Sequence, residues 1–409
     1  MKVLIFSMMS GMNIRKAFAA IEENVFLHSF HTKTALPDNS LIRFLINWHI
    51  IPILERRLYP SKSYKRIHSY WFNEIAGVLL NKMHLSSLFP ALYDNLHQAE
   101  IFDIRVSKYL LKHINEIDAV YGYEGNSCHT FQVAKEHGIK CIYELPIGYW
   151  RAKDILLSKQ AVLYPEWKST MKYSSDTSRV FLERKDKELE LADLIIVPSN
   201  FVKDTLKYYP GKLAPIQVVQ YGGPNNTASP HPINNDRKIK ILFLGGLSQR
   251  KGLADVFEVY ERLDKDKFQL TVVGSGNIDA CRPLKEKLKK VHYIPSLSNR
   301  EVLKLMATMD IFFFPSHFEG FALVILEAMS QGLPIITTDV TSGPIVHGKD
   351  GWIVKENDID GMVSLLFHLE SNRSLIAECS KNAIITARNN TWKQYQDKLV
   401  ETIIDSLQR

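Results

Sequence analysis

An apolar strand, a polar loop and an apolar helical run follow one another in the sequence FFFPSHFEGFALVILE, which occupies residues 312–327. The strand covers residues 311–314, the loop covers residues 316–320, and the helical run starts near Phe321 and continues to Met329. This order predicts a βα unit whose loop follows a buried strand. The N-terminus of such a helix offers free backbone N–H groups and a partial positive charge, which suits a phosphate.

Two glutamates, Glu319 and Glu327, lie at the mouth of this helix and within it. At a rise of about 1.5 Å per residue, eight helical steps cover about 12 Å, roughly the reach from a ribose across a diphosphate to a sugar ring. The two carboxylates of a glycosidase lie about 5–9.5 Å apart, so this spacing argues against glycoside hydrolysis. The pair is therefore predicted to accept hydrogen bonds from hydroxyl groups at the two ends of a long ligand. The alternative is an ordinary βα unit with a solvated Glu319.

The stretch PSHFEGFALVILEAMSQGLPIITTDV, which contains both glutamates, resembles the C-terminal core of the retaining family 4 glycosyltransferases, of the group 1 type. The resemblance is specific over residues 238–392, looser over residues 183–206 and weak over the first 180 residues. It implies an α/β protein with the GT-B fold, in which two Rossmann-like domains face a central cleft. It also implies a C-terminal helix that crosses back to the N-terminal domain.

Bulk composition agrees with two domains. The chain has 409 residues, of which 45% are hydrophobic and 23% charged, and its net charge of +7 favours an anionic partner surface. The longest uncharged stretches hold about a dozen residues, too few to span a membrane, and MKVLIFSMM is predicted as a buried strand rather than a signal peptide. The cysteines lack metal-ligand spacing, so we expect reduced thiols in a cytoplasmic protein. They are Cys128, Cys141, Cys281 and Cys379.

Short β-rich runs alternate with helical patterns, which predicts parallel sheets with helical crossovers. We expect an N-terminal acceptor-binding domain at residues 1–220, with a helical insertion at about 37–115. Residues 221–237, rich in Gly, Pro, Asn and Ser, form the linker to a donor domain at 238–390, and residues 391–409 form the crossing helix. The predicted strands lie at 2–8, 24–30, 119–123, 140–145, 194–198 and 217–220, and then at 240–244, 269–273, 291–294, 310–314 and 334–338.

The sequence KILFLGGLSQRKG at residues 240–252 predicts the phosphate side of a donor site. A strand ends at Gly245 and Gly246, where the absence of side chains lets the backbone approach an anion. Lys251 is expected to neutralise the charge on a leaving diphosphate. Related glycosyltransferases usually carry an arginine at the position of Gly246, where it holds the diphosphate together with the lysine. Arg250 is the nearest residue in sequence that can replace this charge.

The resemblance also implies which residues hold the rest of a UDP or GDP sugar. Gly274 lies in a loop beside the nucleotide, and the backbone near Leu297 contacts the base. Glu319 orients the transferred sugar and Glu327 holds the ribose hydroxyls. The backbone N–H groups that face the diphosphate belong to Gly320, Phe321, Ala322, Leu323 and Val324.

The N-terminal domain of the family supplies the acceptor pocket. Gly11 and Met12 follow the first strand and precede a helix, so their backbone is expected to face the cleft. Many relatives carry a histidine after the strand that matches CIYELP, whereas this chain continues with PIGY, ending at Tyr149. Glu124 and Glu144 follow strands, and each either lines the cleft or has a structural role. Glu144 and Tyr149 are retained as acceptor-side candidates.

Residues 41–71 combine apolar and aromatic side chains with a run of basic ones that only Glu55 opposes. Such a segment suits an anionic membrane surface, and a packed helix with a solvated basic edge explains the pattern equally well. Nucleic acid is a poor partner because no RNA- or DNA-binding motif accompanies the aromatic residues. The run of basic residues comprises Arg56, Arg57, Lys62, Lys65 and Arg66.

We therefore predict a cytoplasmic hexosyltransferase, peripheral on the inner face of the plasma membrane if residues 41–71 dock on lipid. It moves a sugar from a nucleotide-diphosphate sugar to a hydroxyl of a glycan or a lipid-linked acceptor, in the synthesis of a bacterial surface polysaccharide. The resemblance implies retention of anomeric configuration, no metal and no cofactor beyond the co-substrate. Two alternatives stay open. One is a GT-B epimerase of nucleotide sugars, and the other is an inactive GT-B scaffold subunit, which Gly246 and the missing histidine suggest.

Overall fold

The apolar runs of the N-terminal half assemble into a parallel β-sheet. The computed structural model describes residues 1–24, 26–47, 57–60, 64–70, 94–171, 178–225, 227–229, 237–341 and 343–408. The N-terminal strands are β1 (Val3–Ser7), β2 (Leu27–Thr32), β3 (Leu36–Asp38), β4 (Leu58–Pro60), β5 (Ile67–Ser69), β6 (Ala119–Tyr123), β7 (Lys140–Glu144), β8 (Leu194–Val197) and β9 (Ile216–Val218). Within the described residues the sheet order is β5-β2-β1-β6-β7-β8-β9, and β3 pairs with β4 apart from it.

The C-terminal half forms a second parallel sheet. Its strands are β10 (Ile239–Leu244), β11 (Phe268–Val273), β12 (His292–Ile294), β13 (Ile311–Phe314), β14 (Ile335–Thr338) and β15 (Gly351–Val354). Their order in the described part of the chain is β12-β11-β10-β13-β14-β15. All four residues of β13 are buried, because helices cover both faces of a parallel sheet and leave its central strands no solvated side.

Helices connect the strands of both sheets. In the N-terminal half they span Met12–Glu23, Ser40–Asn47, Asn95–Lys112, Cys128–Glu136, Trp150–Leu163, Arg179–Leu191 and Asn200–Thr205. In the C-terminal half they span Leu253–Arg262, Arg282–Leu288, Asn299–Met306, Leu323–Ser330, Ile359–Ser371, Arg373–Arg388 and Trp392–Gln408. None of the helices in the described ranges is both long and apolar enough to cross a lipid bilayer.

The last helix, Trp392–Gln408, crosses back to the N-terminal half, as the sequence predicted. Leu399 and Ile403 are buried in the same core as Ile14 and Phe18 of the first helix. The side-chain amide of Gln396 donates a hydrogen bond to the carbonyl of Lys16 at 3.2 Å. Burial of this apolar stripe attaches the C-terminus of the chain to the sheet that contains its N-terminus.

Two chain crossings connect the halves, and they lie side by side. The N–H of Gly223, after β9, donates to the carbonyl of Asn390 at 2.8 Å. A Cβ atom at Gly222 would lie 2.3 Å from the backbone of Thr391, so the crossings approach more closely than any side chain permits. Part of the predicted linker, namely residues 226 and 230–236, lies outside the described residues.

The strand predictions are confirmed, with ends that differ by a few residues. The helical interpretation of residues 37–115 is wrong at β4 and β5. β5 pairs in parallel with β2 and forms the edge of the main sheet, and such a long-range pairing leaves no periodic signal in a three-residue strand. The helices Ser40–Asn47 and Asn95–Lys112 agree with the prediction. Residues 48–56, 61–63 and 71–93 lie outside the described part.

Candidate active site in the cleft between the halves

A cleft of about 750 Å³ lies between the two halves of the chain. Met12 and Lys16, which follow β1, lie on its N-terminal wall. Leu323 and Glu327, on the helix after β13, lie on the opposite wall. The cleft therefore opens at the carboxyl ends of the strands, where α/β sheets place their ligand sites. This position agrees with the predicted donor and acceptor sides.

Glu319 lies at the centre of a charge cluster in the loop between β13 and the following helix. Its carboxylate accepts a hydrogen bond from Nζ of Lys251, and Nη1 of Arg250 lies 3.1 Å from the same oxygen. Arg250 also donates to the carbonyl of Phe318 at 2.6 Å. The two cations predicted as the phosphate clamp thus meet the glutamate predicted to orient the sugar.

Burial and neighbouring charges shift the pKa of Glu319 in opposite directions. Burial alone would raise the pKa of this carboxyl, but the neighbouring charges of Lys251 and Arg250 outweigh burial and lower it. Burial lowers the pKa of Lys251, although the negative charge of Glu319 opposes that shift. Two cations around one carboxylate leave an excess of positive charge in a site largely removed from water, and such a site attracts anions.

The helix behind this cluster begins at Leu323, two residues later than the sequence suggested. Glu319 therefore lies in the loop, and the helical rise assumed between the two glutamates applies only from Leu323 onward. Ala322, the residue before the helix, has no polar side chain with which to cap it. The first N–H groups of the helix, which begins four residues after the glutamate that the two cations contact, thus lack a side-chain cap from the residue before it.

The loop of Glu319 packs directly against the N-terminal half. The N–H of Gly148 donates to the carbonyl of Glu319 at 3.2 Å, and the hydroxyl of Ser199 donates to the carbonyl of Gly320 at 2.7 Å. A Cβ atom at Gly320 would lie 1.8 Å from the carbonyl oxygen of Pro146. Glycine is required here because the two halves touch through backbone atoms.

Glu327 lies in the same cleft, one helical turn beyond Leu323. Its carboxylate accepts a hydrogen bond from the side-chain amide of Asn299 at 3.1 Å. Burial raises the pKa of Glu327, and the hydrogen bond from Asn299 opposes this shift. Arg300 lines the cleft beside this pair. The second glutamate of the motif therefore lines the cleft.

The predicted glycines bring two loops into contact beside Lys251. A Cβ atom at Gly274 would lie 1.8 Å from the carbonyl oxygen of Gly245, so the loops after β10 and β11 touch. Gly246 is exposed, and a Cβ atom there would meet no other atom within 4 Å. Leu297, after β12, is partly buried against the hydrophobic core of the C-terminal half. The position of the family arginine thus has room for a side chain.

The two side chains predicted for the acceptor side do not reach the cleft, and this part of the prediction is corrected. Glu144 is 1% exposed, because its carboxylate accepts hydrogen bonds from the hydroxyls of Tyr121 and Tyr221 in the core. Tyr149 is fully buried, and its hydroxyl donates to Asp186 at 2.6 Å. A position after a strand fixes where the backbone lies, but not whether its side chain faces the core. Gly11 and Met12 are exposed, and Met12 lines the cleft.

A buried charged histidine, His317, escaped the sequence analysis. Its Nε2 lies 2.7 Å from Asp255 and its Nδ1 lies 3.3 Å from Glu356. Burial lowers the pKa of His317, but the contacts with these two carboxylates outweigh it and raise the pKa to about 9. Gln249 approaches the same ring at 3.3 Å. The network holds the loop of Glu319 to the turn that contains Lys251 and to the helix after it. In the sequence, the histidine of PSHFEG was the residue that could have pointed to this network.

The basic and aromatic segment 41–71 lies only partly within the described residues. Leu41 and Phe44 are exposed on the helix Ser40–Asn47. Arg57 donates to the hydroxyl of Ser10, and Arg66 donates to the carbonyl of Leu27 at 3.2 Å. These two arginines therefore have contacts within the protein, while the exposed apolar pair agrees with a docking surface. Arg56 and Lys62 lie outside the described residues.

Comparison with known proteins places the chain in a class. Residues 226–386 match the family model described as glycosyl transferases group 1. The O-antigen chain mannosyltransferase B of Escherichia coli is 26% identical over 160 residues, or 37% of this chain and 42% of that protein. The E. coli UDP-Gal:alpha-D-GlcNAc-diphosphoundecaprenol alpha-1,3-galactosyltransferase is 22% identical over 349 residues, or 77% and 82% of the two chains.

Solved structures define the fold. The crystal structure of Anabaena HepE in complex with UDP and glucose has a TM-score of 0.62 at 15% identity, over 99% of this chain and 100% of that one. The fold is therefore GT-B. Over residues 226–386 the chain is similar to the group 1 glycosyltransferases, and the two curated relatives named above are glycosyltransferases of E. coli. The chain matches only 36–42% of the length of three curated relatives, of which the mannosyltransferase is one.

The His317 network predicts a pH dependence of stability. The pKa of His317 is raised from 6.5 to about 9, so its contribution is fully present below pH 6.5 and is lost as the pH rises through about 9. The free energy of unfolding should fall by about 2–4 kcal/mol over this interval. Urea denaturation at several pH values will measure this slope.

The replacement His317→Gln should remove most of this slope and lower stability at pH 6.5. The matched control is His129→Gln, because His129 is partly exposed and lies 3.8 Å from the single carboxylate of Glu100. An equal slope in the wild-type chain and in His317→Gln would show that His317 does not carry the charge assigned to it.

Proposed function

We propose that this protein transfers a sugar from a nucleotide-diphosphate sugar to a hydroxyl group of a glycan or lipid-linked acceptor. The observation that carries the proposal is the convergence of Lys251 and Arg250 on Glu319. This cluster precedes the uncapped helix Leu323–Ser330, and Glu327 of that helix lines the cleft between the halves. Positive charge, free N–H groups and two carboxylates are the groups needed for a diphosphate flanked by two sugars.

The donor is held along the wall formed by the C-terminal half. The diphosphate accepts hydrogen bonds from the N–H groups of residues 320–324 and from Lys251. Lys251 and Arg250 then interact with the phosphates as well as with Glu319. This leaves Glu319 able to accept a hydrogen bond from a hydroxyl of the transferred sugar. Glu327 accepts hydrogen bonds from the ribose hydroxyls, and the nucleotide base lies near Leu297. Met12 lines the opposite wall of the cleft, and we assign Gly11 and Met12 to the acceptor.

Transfer with retention needs no covalent intermediate in this arrangement. The acceptor oxygen forms a bond to the anomeric carbon on the face from which the diphosphate leaves, and the bond from that carbon to the phosphate oxygen breaks. The acceptor proton passes to an oxygen of the departing phosphate. Lys251 stabilises the charge that develops there. A divalent ion is not required, so turnover should persist in the presence of a chelator.

The names of the relatives support an acceptor class. The galactosyltransferase named above acts on a sugar linked to diphosphoundecaprenol, and the mannosyltransferase is an O-antigen enzyme. The HepE structure contains UDP and glucose. We therefore propose a UDP or GDP sugar as donor, an undecaprenol-linked glycan as acceptor, and a step in the synthesis of a bacterial surface polysaccharide at the cytoplasmic face of the membrane.

The proposal is tested by incubating the chain with UDP and GDP sugars and an undecaprenol-diphosphate-linked acceptor, with the anomeric configuration of the product read by NMR. The variants Glu319→Gln and Glu327→Gln should each lower kcat/KM by about ten- to a hundredfold, since each loses charged hydrogen bonds worth about 1.5–3 kcal/mol. The control Glu286→Gln changes an exposed carboxylate paired with Arg282 and should leave kcat/KM unchanged.

Three outcomes would contradict parts of this proposal. Wild-type kcat/KM in both glutamate variants at subsaturating donor would refute the donor site. Release of an epimerised nucleotide sugar without acceptor would identify an epimerase. Nucleotide binding without any turnover across the donors would favour a scaffold protein.

The phosphate clamp gives a graded prediction. Lys251→Ala should lower kcat/KM by about 10²–10³-fold, because it removes a positioned charge that stabilises the developing anion by about 2.7–4 kcal/mol in the transition state. Arg250→Ala should cost less, and Gly246→Arg should partly restore its activity, since the space around Gly246 is open. Steady-state kinetics of the three single variants and of the double variant measure these effects. If Arg250→Ala abolishes turnover while Lys251→Ala does not, the roles of the two cations are reversed.

We also propose that the segment 41–71 docks on anionic lipid, which the exposed Leu41 and Phe44 support. The protein should then sediment with phosphatidylglycerol vesicles at low salt, and each basic residue near the surface contributes about 1 kcal/mol. The charge reversals Arg56→Glu and Lys65→Glu should release it. Reversal of Lys289 and Lys290, which are exposed on the C-terminal half, is the control. No sedimentation at low ionic strength would favour a packed segment and a soluble acceptor.

A further inference from the structure

Three potential metal ligands converge in the N-terminal half. His28 lies in β2, His113 follows the helix Asn95–Lys112, and Glu116 lies in the next turn. Nε2 of His28 lies 3.3 Å from Oε2 of Glu116, and Nδ1 of His113 lies 3.0 Å from Oε1 of the same carboxylate. One ligand atom from each residue lies within 4.8 Å of the other two. Spacing along the sequence gave no sign of this cluster, because His28 is far from the other two.

The ligand types suit a tetrahedral metal ion. Zinc binds imidazole nitrogen and carboxylate oxygen at about 2.0–2.2 Å, which places neighbouring ligand atoms of a tetrahedron about 3.3 Å apart. His28 lies 3.3 Å from Oε2 of Glu116 and His113 lies 3.0 Å from Oε1, so the carboxylate has to turn one oxygen between the two rings to complete the set. Two imidazoles and one carboxylate form a known zinc ligand set that leaves a fourth position for water.

Neighbouring groups orient both histidines. Nδ1 of His28 lies 3.2 Å from the hydroxyl of Ser29, which leaves Nε2 to face Glu116. The ring of His113 stacks on Tyr109, with centroids 4.4 Å apart. Metal-binding histidines usually have their second nitrogen held by a hydrogen bond of this kind. His28 therefore has the supporting contact expected of a ligand.

We propose that His28, His113 and Glu116 bind one Zn²⁺ ion that connects β2 to the turn before β6. His28 is the second residue of β2, so the site lies where the strands of the first sheet begin. The cleft lies at the opposite edge, because Met12 follows the carboxyl end of β1 and lines the cleft. The ion thus stabilises the N-terminal half and takes no part in sugar transfer.

The experiment uses the full chain after removal of metals with a chelator. Zn²⁺ is titrated against a competing chromophoric chelator, and Co²⁺ is added separately to record its visible absorption. We expect one Zn²⁺ per chain, a rise in Tm and a Co²⁺ spectrum typical of four-coordinate geometry. His113→Gln and Glu116→Gln should each weaken binding about tenfold or more, and Ser29→Ala should have a smaller effect. The side chains of His113 and Glu116 are 33% and 61% exposed, so these two changes leave the core intact.

The control His129→Gln changes another histidine near a carboxylate, at 3.8 Å from Glu100, and should keep wild-type affinity. Affinity that is equal in wild type, His113→Gln and Glu116→Gln would overturn the proposal, as would a Tm that does not respond to Zn²⁺. A six-coordinate Co²⁺ spectrum in the wild-type chain would also refute it, independently of any variant. Sugar transfer is measured separately and should not change when the ion is removed.

Discussion

The ion cluster of Lys251, Arg250 and Glu319 is the interaction on which the candidate site depends. It joins the turn after β10 to the loop after β13. The contact of His317 with Asp255 holds the same loop to the helix that follows this turn. A buried carboxylate between two cations is costly to break, because the loss of one partner leaves an uncompensated charge in a dry site. The loop geometry is therefore set before any ligand arrives, and preorganised charge is what stabilises a leaving diphosphate most effectively.

The fold and the meeting of Lys251 with Glu319 were predictable because their signals are local. A buried strand, a glycine turn and an amphipathic helix each appear within about a dozen residues, which is the range over which periodicity operates. Lys251, Glu319 and Glu327 belong to such segments, and the structure brings the first two together and places the third on the wall of the cleft. Whether they bind a nucleotide sugar remains a prediction that the kinetic variants address.

The rest could not be predicted because it depends on distant pairs. Glu144 is the last residue of β7, at the end of the strand where a cleft residue would lie, but the hydroxyl of Tyr221, on the linker, donates a hydrogen bond to it in the core. The edge strand β5 exists through its pairing with β2, and its three residues have no pattern of their own. His28 meets Glu116 only after the sheet and the helix Asn95–Lys112 have packed. In each case the deciding partner is remote in sequence, so no local pattern contains it.

The tyrosine contacts of Glu144 have a consequence for movement between the halves. Tyr221 belongs to the chain crossing, and its hydroxyl accepts a hydrogen bond from the side chain of Asn13 at 3.1 Å while it donates to Glu144. Asn13 directly follows Gly11 and Met12 on the N-terminal wall of the cleft. A rotation of one half about the crossing therefore has to break this hydrogen-bonded chain or carry the start of the first helix with it. The angle between the two halves is thus coupled to the position of the residues that follow β1.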